Sequence, residues 1–106
     1  MLLPKAFKPL EKLVPDWALE TEVARNRKRL ASGYDEVQAF YQAMLPHMEE
    51  IIAYLKPRPL DALPPPCQNL LNLALMFMEV APAVEIFKHP DVPWGFAAER
   101  FQILPG

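Results

Sequence analysis

Side chains that end in a hydroxyl or a thiol are almost missing from this sequence. Ser32 is the only serine, Thr21 the only threonine and Cys67 the only cysteine among 106 residues. One cysteine cannot close an internal disulfide, so nothing here implies an oxidising compartment. The same scarcity leaves little to activate as a catalytic nucleophile. Ser32 stands beside Gly33 at a helix junction, where capping is the ordinary role. Cys67 follows Pro64, Pro65 and Pro66 at a helix start, a position that can depress a thiol pKa but more often holds an inert first-turn residue. Only three glycines occur, and they are scattered, which excludes a Walker or dinucleotide turn. There is no CxxC and no HExxH. Strand signals are also scarce, with few β-branched runs and no Asn-Gly or Asp-Gly hairpin dipeptide.

What is present forms helices. Leucine and alanine together fill 28 positions, and Glu, Gln, Met, Lys and Arg supply much of the rest. The length fits a single domain, 1–106. The sequence therefore predicts an all-α bundle of three to four helices with proline kinks, an extended N-terminal arm and an extended C-terminal tail. Pro4 and Pro9 divide residues 1–14 into an arm with at most a short helix. Asp16 is placed to cap a first helix that runs to Gly33, a residue suited to a left-handed helix end. Trp17, Val23, Ala24, Leu30 and Ala31 form its apolar stripe.

The second helix, about 34–56, has the strongest period: Val37, Phe40, Tyr41, Met44, Met48, Ile51, Ile52 and Leu55 fall three or four apart. Ser32 with Asp35 resembles a capping box at its start, and Pro46 predicts a kink. Residues 57–65 are a stiff proline-rich linker from which Leu60 and Leu63 reach the core. The third helix, about 66–80, is apolar nearly all round and reads as a central core helix, too interrupted by Asn72, Glu79, Pro82 and Glu85 to suit a membrane. Pro82 kinks it or divides it from a last short helix near Lys88. The tail, 89–106, holds Pro90, Pro93, Trp94 and Phe96 and reads as an extended contact element. One short chain has little with which to cover an all-apolar helix, and that predicts a homodimer.

Charge is uneven. The total is −2, yet residues 1–32 carry +3 and residues 33–106 carry −5. The run Arg25-Asn26-Arg27-Lys28-Arg29 points around its helix rather than along one stripe. In a chain of pI near 5.6 it reads as a solvated or carboxylate-paired face, with no nucleic acid expected. His47 and Glu50 share a helix face and Glu79 lies in an apolar run, so these three are the candidate metal ligands. Their single His-x-x-Glu is the reverse of the Glu-x-x-His used in di-iron bundles, which argues for no metal and no cofactor. Glu79 is then a carboxylate paired with an arginine, Arg25, Arg27 or Arg58. Met1-Leu2-Leu3-Pro4-Lys5-Ala6 lacks a basic start followed by about 7–15 apolar residues, so no secretory signal is expected.

The sequence therefore favours a non-enzymatic, cytoplasmic, self-associating accessory or adaptor with a larger protein partner and no membrane contact. The alternative is a binder of small apolar ligands, in a pocket beside the Pro46 and Pro82 kinks lined by Met44, Met48, Met76, Met78 and Phe77. A metal-dependent enzyme using His47 and Glu79 comes third.

Overall fold

The structure is a computed structural model that describes residues 2–88. These form an all-α bundle, with no strand among the described residues. The predicted extended tail, with Trp94 and Phe96, lies outside the described residues.

The N-terminal segment is not an extended arm. Lys5–Leu13 forms a 3₁₀ helix, broken at Phe7 (φ −115°, ψ 20°) and containing Pro9. Its apolar side chains explain the difference: Leu3, Phe7 and Leu10 are all buried. Each such burial contributes about 2 kcal/mol, which outweighs the poor hydrogen bonding of a proline-bearing segment. The chain start is held by polar groups as well. Glu11 Oε2 accepts from the amides of Leu2 and Leu3 at 2.9 and 3.0 Å, and Asn69 Nδ2 donates to the Leu2 carbonyl at 2.9 Å.

Two helices stand where the sequence suggested one. Helix α1, Val14–Trp17, is only four residues long. It ends in an inverse γ-turn at Ala18 (φ −83°, ψ 70°), across which the Leu19 amide donates to the Trp17 carbonyl at 2.9 Å. Helix α2, Glu22–Ala31, then starts afresh, capped by Thr21 and not by Asp16. The Thr21 hydroxyl accepts from the Ala24 amide at 3.0 Å. Ser32 does not cap the next helix either, because its hydroxyl donates back to the Lys28 carbonyl at 2.7 Å. Gly33 fills that place with extended backbone (φ −71°, ψ 157°), and Glu36 accepts from its amide at 3.2 Å.

Helix α3, Tyr34–Met44, a 3₁₀ turn at Leu45–His47 and helix α4, Met48–Leu55, form the predicted second helix with its interruption at Pro46. The missing Pro46 amide is absorbed by the tighter turn, so the apolar stripe is continuous across it. Val37, Phe40, Tyr41, Met44, Met48, Ile51 and Leu55 are all buried. Leu60 and Leu63 of the following loop are partly buried and packed against this core, as their spacing suggests.

Helix α5, Pro65–Lys88, runs without a break through Pro82. At 1.5 Å per residue it is about 36 Å long, close to the 37 Å long axis of the molecule. Leu70, Leu73, Ala74, Met76, Phe77, Val80, Ala81 and Val84 are wholly buried. By length and composition this helix could cross a membrane, but 61% of that stretch is buried inside the protein. Helices α1, α2, α3 and α4 all pack on it. One chain therefore covers its own central helix, and the N-terminal segment expected to extend away supplies part of the cover.

Candidate functional site

Helix α2 departs furthest from the pattern of a bundle helix. It has no buried residue at all. Val23 and Leu30, seven positions apart and so on one face, are 61% and 68% exposed. Of the apolar stripe read from the sequence, Trp17 is buried and Ala24 half-buried, but Val23, Leu30 and Ala31 face solvent instead.

Its basic face turns inward, and the cause is Glu79. That carboxylate follows the apolar run Leu73–Met78 of α5, where burial without a partner is costly. Arg29 Nε reaches Glu79 Oε2 at 2.7 Å, and Asn26 Nδ2 donates to the same oxygen at 3.3 Å. Further contacts complete the seam. Arg25 donates to the Leu19 carbonyl at 2.9 Å, and the Lys28 ammonium lies 4.7 Å from the centre of the Trp17 ring. The predicted carboxylate–arginine pair thus forms with Arg29, not with Arg25, Arg27 or Arg58. Arg58 goes elsewhere, stacking over Tyr54 at 3.7 Å and donating to that residue's carbonyl. Arg27 is exposed between Val23 and Leu30.

The candidate metal ligands do not converge. Glu50 is exposed on α4, His47 is half-buried in the 3₁₀ turn and Glu79 faces α2. Among the described residues no three His, Cys, Asp or Glu side chains gather as a metal-binding group. The proposed pocket residues are core: Met44, Met48, Met76 and Phe77 are fully buried, and Met78 is half-buried. Phe77 stacks on Tyr41 with ring centres 5.0 Å apart. A cleft of about 350 Å³ opens elsewhere, between the 3₁₀ helix and α3. Leu13, Trp17, Ala39, Phe40 and Ala43 wall it, with Lys12 and Glu36 also lining it. Trp17 stacks on Phe40 there, centre to centre 4.5 Å, as the small Ala39 and Ala43 leave the ring pair a notch.

Two other polar groups are settled in the interior. The Tyr41 hydroxyl donates to Glu85 Oε2 at 2.8 Å. Burial, and then the neighbouring carboxylate, push the Tyr41 pKa well above the ordinary phenol value. Cys67 is buried in the first turn of α5, its sulfur 3.8 Å from the Tyr54 hydroxyl. That hydrogen bond raises the Tyr54 pKa.

Nothing in the period of α2 alone signalled its inversion. The usable signal was Glu79 within an apolar run and four cations in five residues, which must meet somewhere. Comparison of the chain with protein-family models, with curated proteins and with solved structures found no match.

Proposed function

We propose that this chain is a non-enzymatic helical accessory protein that acts by association, pairing with a second copy of itself and serving as an adaptor for a larger partner. The observation that supports this reading is the outward face of α2, where Val23 and Leu30 are left to water while the other face makes polar contacts to the body. Most of the large apolar side chains described are inside. The sequence argument for a dimer rested on α5, which the chain covers by itself, so the case for association now rests on α2.

Sedimentation equilibrium tests it. The expected result is a particle of twice the 12.1 kDa chain mass at tens of micromolar. The variant Leu30→Glu should then dissociate to single chains with an unchanged helical circular dichroism spectrum. A wild-type protein that stays at 12.1 kDa throughout would refute self-association.

A further inference from the structure

Self-association does not by itself say which surface of the second copy α2 meets, but charge discriminates between the choices. From Glu22 to Ala31, α2 carries Arg25, Arg27, Lys28 and Arg29 against Glu22, a net +3; Arg25, Lys28 and Arg29 are engaged by the chain's own body, and Arg27 is the cation of the exposed face. From Tyr34 to Leu55 the chain carries Asp35, Glu36, Glu49 and Glu50 and no lysine or arginine, a net −4.

Two α2 helices laid antiparallel, with Val23 against Leu30, would bring the two Arg27 side chains together near the two-fold axis. Like charges at such an interface oppose pairing. The solvent face of α3 and α4 offers the opposite. Asp35, Ala39, Gln42, Pro46, Glu50 and Ala53 are all exposed and follow one another at intervals of three or four residues. That face is acidic towards both ends, and its alanines let a second helix approach closely, which suits the larger Val23 and Leu30 of an incoming α2.

We infer that α2 of one protomer docks across the acidic outer face of α3 and α4 of a second copy, and reciprocally. This rests on the self-association proposed above. In the pair, Val23 and Leu30 are withdrawn from water and Arg27 lies beside the Glu50 carboxylate. A two-fold axis makes the contact twice, so each charge counts twice. The outward Arg27 of α2 and the acidic face of α3 and α4 then become two halves of one interface.

Charge exchange is the test, read by sedimentation equilibrium at low salt. Arg27→Glu and Glu50→Lys are both at exposed positions, so both variants keep the fold. Each alone should associate about tenfold more weakly than the wild type, from two exposed contacts turned repulsive. Mixed in equal amounts they should recover association to within about threefold of wild type, because both contacts of the mixed dimer are attractive again. Raising the ionic strength tenfold should weaken the wild-type dimer and narrow these differences.

If Arg27→Glu tightens association, α2 pairs with α2 and the inference fails. If the mixture associates no better than the separate variants, the docking surface is wrong while self-association stands. A wild-type chain that stays single at every concentration overturns both readings and leaves the α2 face to an acidic helix of a different protein.

Discussion

Glu79→Gln should release helix α2 without disturbing what lies beneath it. The carboxylate accepts from Arg29 at 2.7 Å and from Asn26 at 3.3 Å, and the two ion-pair side chains are 29% and 19% exposed. Such partly solvated charges are screened, so the ion pair contributes about 1 kcal/mol. The longer Asn26 bond, worth roughly 0.5 kcal/mol, ends on the same oxygen, and a carboxamide oxygen still accepts it. A ten-residue helix is marginal in isolation, and α2 has no buried side chain to compensate. Losing about 1 kcal/mol should therefore accelerate hydrogen exchange of the α2 amides roughly fivefold. The measurement belongs at low micromolar concentration, where single chains predominate. Leu30→Ala is the contrasting variant. At 68% exposure its truncation should change α2 exchange less than twofold, whereas a leucine facing the core would cost about 3 kcal/mol. If Leu30→Ala opened the helix and Glu79→Gln did not, the inverted orientation of α2 would be refuted.

Thr21→Ala should lower stability by about 1 kcal/mol and Asp16→Ala by less than about 0.5 kcal/mol, which urea unfolding would resolve and which locates the helix start at Thr21. Leu73→Ala, at a wholly buried position, should cost about 3 kcal/mol and lower the thermal midpoint by well over 10 °C on the usual scaling for a chain this small. Tyr41 has its pKa raised in the folded state, so the fold favours the neutral phenol. Its contribution is intact below about pH 10, the ordinary phenol value, and is lost as pH rises above it, by up to about 1.4 kcal/mol per unit. Tyr41→Phe should flatten that alkaline limb while destabilising the protein near neutrality by about 1–3 kcal/mol, since it leaves Glu85 without its donor.

Much of the fold was legible because long apolar periods leave few alternatives. Val37 to Leu55 keep one stripe across Pro46, and the structure buries it as spaced. Composition likewise marked α5 as central. Short segments were harder to read. In residues 5–13, two prolines flank and interrupt a sequence that has little helix signal of its own, and only the burial of Phe7 and Leu10 explains its turns. Ala18 carries no turn signature, so the γ-turn that splits α1 from α2 was invisible. The α2 face was misread for a related reason. Val23, Ala24, Leu30 and Ala31 form only a weak stripe, and the demand of the half-buried Glu79 carboxylate on another helix outweighed it. The methionines at Met44, Met48 and Met76 were legible as apolar, but periodicity cannot separate a core lining from a pocket lining.

The position of α5 along the chain also has a consequence for how the protein is made. Leu2 is tied to Asn69, Arg29 to Glu79 and Tyr41 to Glu85, so contacts that organise the N-terminal half await the last helix described. As synthesis proceeds, everything before Pro65 leaves the ribosome with its apolar faces and no central helix to cover them. Folding is then a late and nearly concerted event. Truncation or stalling within α5 should yield a sticky fragment fit for chaperones and proteases, not a smaller folded protein.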